Sequence, residues 1–208
     1  SSGHAMRSML LGLALLLPTA ALGEPIETQE IITAATGDWN GDGATDLAMI
    51  VETEPGSAMD MHFFLRDKDH NLLKPAGIVQ EQIYGEWNGY DRPGYEASSI
   101  EPELTALPNG SIKLYIPGIP MNGARTDQTL TIAWRNDAFV VAGFAYDYHD
   151  YMKDNVASDC DYNLLTGKGK SSKMQPDGKR VHRIVSVEGK VVPFANWDSG
   201  ASVTDCGE

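Results

Sequence analysis

Basic residues are scarce in this sequence: 16 Lys and Arg stand against 29 Asp and Glu, a formal net charge of −13 over 208 residues. Such a polyanion repels nucleic acid and anionic lipid surfaces, so neither is expected as a partner. What suits it instead is a cation, a neutral ligand or a basic protein surface. Catalytic signatures are missing as well. There is no Gly-x-Ser-x-Gly, no His-Glu-x-x-His, no phosphate loop and no dinucleotide fingerprint. Helical periodicity is also absent, because no stretch after residue 23 keeps apolar residues at i, i+3 and i+4 for the 10 to 12 positions a helix needs.

One long apolar run exists, and it stands near the start. Met6 and Arg7 precede Met9–Leu17, followed by Pro18 and the small-residue stretch 19–23. A positive start, an apolar centre and a small-residue cleavage region make a secretory signal peptide over 6–23, with the mature chain expected to begin at Glu24. Ser1–Ala5 reads as a remnant of an expression tag. The run is shorter than the roughly 20 residues that cross a bilayer, so no membrane attachment is expected after cleavage. Past residue 23 the balance is 15 basic against 29 acidic side chains, −14. The expected location is the periplasm or the medium of a bacterium. In that oxidising setting the only two cysteines, Cys160 and Cys206, are expected to form one disulfide.

Residues 24–208 suit a single domain large enough for a real core, and their pattern is β. Leu130, Ile132 and Trp134 alternate with Thr131, Ala133 and Arg135; Asn136-Asp137 then leads into the apolar run Phe139–Tyr146, which together predict a hairpin. Asn109-Gly110 turns into Ser111–Ile116, Asp177-Gly178 precedes Val181–Val187, and Glu188-Gly189 leads into Val191–Phe194. Short strands at this density predict an all-β fold of antiparallel sheets: a sandwich, a barrel or a partial propeller-like assembly. Three stretches read as loops: Glu52–Asp60, Tyr84–Ser99 and the lysine-bearing Gly167–Lys179.

The constellation with a mechanism is Gly37-Asp-Trp-Asn-Gly-Asp-Gly-Ala-Thr-Asp-Leu47. Asp38, Asn40 and Asp42 take the first, third and fifth places of a cation loop, Gly43 the sixth, and Asp46 the ninth. A hard cation such as Ca²⁺ wants about six to eight oxygens from a loop that wraps around it. The expected ligands are the side chains of Asp38, Asn40, Asp42 and Asp46 with the carbonyl of Ala44. The twelfth place, where an EF-hand has its bidentate Glu, holds Met49 within the apolar run Leu47–Val51, so the loop feeds a strand. These residues resemble the FG-GAP or VCBS type of repeat, the calcium-loop blade of integrin-like β-propellers. The resemblance implies a structural Ca²⁺ in a loop between two strands of one blade. One convincing copy is present, over about 15 residues; Gly85-Glu-Trp-Asn-Gly89 echoes its start before Tyr90, Asp91 and Arg92 break the spacing.

Three function classes remain, the third of them a purely structural envelope component. The leading reading is a non-enzymatic binding protein, such as a periplasmic inhibitor or immunity protein that meets a basic partner. The alternative is a small periplasmic hydrolase or carbohydrate-acting enzyme built on Asp147, His149 and Asp150. In a strand, though, Asp147 and His149 share a face from which Asp150 points away. The aromatics Trp39, Tyr84, Trp87, Tyr90 and Tyr95 stand beside glycines, where they serve either as stacking surfaces or as caps on the core.

Overall fold

The computed structural model describes residues 26, 31–54, 57–84 and 101–207. The signal segment 6–23, its cleavage point, and the echo at 85–89 with Trp87, Tyr90 and Tyr95 lie outside these residues. Among the described residues the fold is all-β, with antiparallel sheets that do not close into a barrel, and it is sandwich-like.

Four strands form the first sheet as a meander: β1 (Ile31–Gly37), β2 (Asp46–Val51), β3 (Met59–Asp67) and β4 (Leu72–Ile83). The second sheet runs β11-β10-β9-β8-β7-β6-β5, with β5 (Glu103–Ala106), β6 (Ile112–Ile116), β7 (Ala124–Arg135), β8 (Ala138–Asp150), β9 (Ala157–Asn163), β10 (Lys168–Met174) and β11 (Arg180–Ser186). β12 (Val192–Pro193) pairs with β8 at Val140 and Val141. One 3-10 turn, Phe194–Asn196, and one short helix, α1 (Ser199–Asp205), end the described chain.

Alternation explains most of this. On β6 Ile112 and Leu114 are buried, and on β7 Leu130 and Ile132 join them. The β7–β8 turn is the two-residue kind, with φ of 49° at Asn136 and 59° at Asp137. Both angles suit the type I′ geometry whose twist matches that of the flanking strands. The sheets pack face to face through aromatics: Phe63 of β3 stacks on Phe139 of β8 with ring centroids 3.7 Å apart, and Phe194 meets Phe63 edge-on at 6.5 Å.

Two expectations need correction. The segment 167–179 is not one loop, because Lys168–Met174 is β10, paired on both sides. Its residues Lys-Gly-Lys-Ser-Ser-Lys-Met carry no β signal of their own, and its neighbours dictate the conformation. Ser171 and Ser172 are buried, and their hydroxyls donate to the Cys206 carbonyl (3.2 Å) and to Asp159. Gly169 lies flat against Tyr162, where an added Cβ would sit 2.2 Å from the Tyr162 Cβ. The stretch 52–60 likewise gives up Met59 and Asp60 to β3.

The predicted disulfide is present. Cys160 of β9 and Cys206 at the end of α1 are bonded and buried, with Cα atoms 6.1 Å apart. Tyr162 supports the same junction: its hydroxyl donates to Asp205 Oδ2, which Lys190 also holds at 2.6 Å, and accepts from the Ser202 hydroxyl at 3.0 Å. Burial, the larger influence, together with Asp205, pushes the Tyr162 hydroxyl up to about 12.

Candidate functional site

The loop between β1 and β2 is built from its own polar side chains. Asp38 Oδ1 accepts from the Asp42 N–H at 3.0 Å and its Oδ2 from the Gly43 N–H at 2.8 Å. Asn40 Oδ1 also accepts from the Asp42 N–H, at 3.1 Å, and Asp42 Oδ1 accepts from the Ala44 N–H at 2.8 Å. Oxygens of Asp38, Asn40 and Asp42 are thus gathered on three successive backbone donors. Gly43 has φ of 82°, in the left-handed region where a side chain would be strained, so the glycine expected at the sixth place is required there.

Asp46 differs from the other three. Its carboxylate is fully buried and spans two elements, taking the Trp39 N–H on Oδ2 and the Arg66 N–H on Oδ1, each at 2.8 Å. It ties the loop to β3. Arg66 adds a bond from Nε to the Thr45 carbonyl at 2.7 Å and reaches Asn71 with its guanidinium. Lys68, in the turn after β3, donates to the Asp42 carbonyl and lies 3.8 Å from Asp42 Oδ1. The loop therefore rests on β3 through one buried carboxylate and two basic side chains.

An oxygen-only donor set of this kind is the chemistry a hard cation takes. An oxygen that accepts one backbone N–H keeps a further lone pair, so the bonds at Asp38, Asn40 and Asp42 are compatible with ligation. In this conformation Asp38, Asp42 and Asp46 do not converge as a ready-made metal cluster: among the described residues no three His, Cys, Asp or Glu side chains stand at metal-holding spacing. Ala44 supplies its N–H to Asp42.

Trp39 is a cap on the core. It is 4% exposed and its ring covers Gly37, where a Cβ would come within 2.3 Å of it. Tyr84, in contrast, is 70% exposed.

On β8, Asp147 and His149 do share a face, with Asp147 Oδ1 3.1 Å from His149 Nδ1, and both are open to solvent. Asp150 is turned away and buried, accepting from the Met152 N–H at 3.0 Å and pairing with Lys153 at 3.1 Å. The Lys153 ammonium, first of the causes, holds the Asp150 carboxyl below the usual range. The three side chains do not converge on one point. His62 is half-buried, and burial lowers its pKa against the opposing pull of Asp60. His182 is exposed on β11, and His70 sits in the β3–β4 turn, 2.9 Å from Asp67.

Sequence reasoning passed over a bulge in the first sheet. Met59 pairs with Ile83 and Met61 with Val79, so β4 carries three residues, Gln80 to Gln82, opposite Asp60 alone. Glu81 takes φ of 55°, and its N–H is satisfied by the buried Asp60 carboxylate at 2.9 Å. Bulges of this kind re-aim side chains; here Glu81 is placed on the wall of a cleft beside Trp197. An isolated acidic residue at the start of β3 was the only sequence signal.

Among the described residues no helix is long and apolar enough to cross a membrane. Comparison with protein-family models, with curated proteins and with solved structures found no match to this chain.

Proposed function

We propose that this chain is an exported, non-enzymatic interaction protein. Its β1–β2 loop takes Ca²⁺ through Asp38, Asn40, Asp42, Asp46 and the Ala44 carbonyl, and its acidic surface meets a basic protein partner. The observation that carries the ion reading is the gathering of the Asp38, Asn40 and Asp42 oxygens on the N–H groups of Asp42, Gly43 and Ala44. Filling the loop would draw the same oxygens onto one cation and stiffen the β1–β2 corner, with Asp46 and Arg66 passing that rigidity to β3. The ion's part is structural; it holds the corner in place. The partner reading rests on the charge of −14 past residue 23 and on the signal peptide. A periplasmic inhibitor or immunity protein has this size, charge and location.

A thermal melt in Ca²⁺ and in excess chelator tests the ion. Selective binding to the folded state raises the midpoint by mass action, and an unchanged midpoint ends the calcium reading. A pull-down from periplasmic extract tests the partner. A single basic protein that elutes as salt rises is the expected result; recovery of cell-wall material alone rejects it.

A further inference from the structure

A cleft of about 570 Å³ opens where the end of β4, the β6–β7 connection and the segment after the 3-10 turn meet. Its floor includes Trp197, 9% exposed, and Ile116. Gln82 and Gln128 supply uncharged polar groups, and the Gln82 amide is fixed by donating to the Ala195 carbonyl at 3.1 Å. The charged residues of the lining are two carboxylates, Glu81 and Asp198; no Lys, Arg or His lines it among the described residues. Several of the chain's acids meet its own bases, as in Arg125–Asp127, Lys153–Asp150, Arg180–Asp159 and Lys190–Asp205. Among the described residues Glu81 and Asp198 stand in no ion pair. The bulge opposite Asp60 holds Glu81 in its left-handed conformation on the cleft wall, and backbone held in a sparsely populated region concentrates at binding sites.

A cleft lined by Trp197 and Ile116, neutral hydrogen-bonding groups and two carboxylates is complementary to a cation on an apolar stem. We propose that this cleft receives an arginine or lysine side chain of a basic partner protein. The proposal rests on the binding-protein reading above and gives its contact a place. The rim decides between a protein and a free amine. Tyr84, Ile119 and Met121 are 70%, 41% and 69% exposed, and Met152, 78% exposed, lies over Gly123 just beyond Met121. An apolar rim that extends past the cleft is far broader than a small amine covers. Exposed aromatic and methionine side chains around a charged pocket are how protein interfaces surround an anchoring residue.

The test is an NMR titration of ¹⁵N-labelled protein with acetyl-Leu-Arg-amide, with its citrulline counterpart as the neutral isostere and with agmatine as a free amine. The expected result is saturable shifts of the Gln82 and Gln128 side-chain amides and the Trp197 indole with the arginine peptide. Affinity should be about tenfold lower for citrulline and about tenfold lower in the Glu81→Gln/Asp198→Asn double variant, since each removes one side of the charge contact. The variant keeps its fold because Asn still caps α1 at Gly200 and Glu81 holds Asp60 through its backbone. Equal binding of citrulline, full binding by the double variant, or no shift at these groups overturns the proposal. Agmatine binding as tightly as the peptide also overturns it, making the cleft a small-amine site. Saturable shifts on another acidic face overturn the cleft and leave the wider reading standing. A pull-down with no basic partner, beside a cleft that still takes the peptide, overturns the wider reading alone.

Discussion

Replacing Asp46 by Ala separates the scaffold of the β1–β2 loop from its proposed ion. In the chain as it stands, the fully buried carboxylate satisfies the N–H groups of Trp39 and Arg66, each at 2.8 Å. Removing it strands two donors, each worth about 1–3 kcal/mol when left unpaired. Loss of a buried charge returns part of that sum, because an ionised carboxylate away from water is itself costly. The net expectation in chelator is about 2–4 kcal/mol of destabilisation, and in Ca²⁺ the variant also forgoes the ion's contribution, because Asp46 is a proposed ligand as well as a strut. Asp46→Asn keeps one acceptor and should lose about half as much. Asp42→Ala is the contrasting variant. It removes an exposed bond to the Ala44 N–H and a surface contact with Lys68, so in chelator it should cost under about 1 kcal/mol. In Ca²⁺ at about 100 times its dissociation constant, the unmodified protein gains about 2.7 kcal/mol and Asp42→Ala gains little of it. Urea melts of all four proteins in both buffers supply the numbers, provided the slopes agree. If Asp46→Ala and Asp42→Ala cost the same in chelator, Asp46 is not the strut described above, and the reasoning about its buried bonds is refuted.

Three further outcomes are expected. Replacing Cys160 and Cys206 together by Ala, which opens a loop with a sequence separation of 46, should lower stability by about 4 kcal/mol in the chain-entropy model; a calorimetric loss under about 1 kcal/mol would contradict it. Asp67 is held down to about 2, first by Lys74 and then by His70. Its folded pKa is depressed, so its stabilisation is complete above the unfolded value near 3.8 and fades as pH falls towards 2. Asp67→Asn should flatten the acid limb of midpoint against pH in that window, and an unchanged limb would remove Asp67 from the account. Finally, Asp147→Ala and His149→Ala should leave melting and partner binding as they were. Abolition by either substitution of a hydrolytic activity detected in the parent would revive the enzyme reading.

Legibility in the sequence followed burial. β6, β7, β8 and β11 announced themselves through apolar alternation and two-residue turns, and the disulfide through an even cysteine count beside an expected export signal. β4 was hidden because Pro75 and Gly77 interrupt it. As an outer strand it tolerates a residue without an N–H, which an inner strand would not. β10 was hidden because its apolar content lies on its neighbours. At the loop, the polar turn and its glycine were readable from spacing, but the separate task of Asp46 was not. That task depends on Arg66, 20 residues on, and only pairing of β2 with β3 brings the two together. Glu81 was unreadable for a similar reason: a bulge arises from register between strands, and register belongs to no single segment.

The flat contact of Gly169 on Tyr162 governs the order in which this part of the protein can open. β10 holds its place between β9 and β11 with few apolar atoms of its own, so its ladder has little intrinsic preference for one alignment over a neighbouring one. The glycine acts as a key: sliding β10 by one residue would press the Cβ of Lys168 or Lys170 onto the Tyr162 Cβ and the Asp161 carbonyl. Tyr162 in turn is fixed by Ser202 and Asp205 of the segment bonded to Cys160. Strands β9 to β11 and the C-terminal helix therefore form one cooperative unit, in which amide exchange along β10 should rise together with exchange in α1 once the disulfide is reduced.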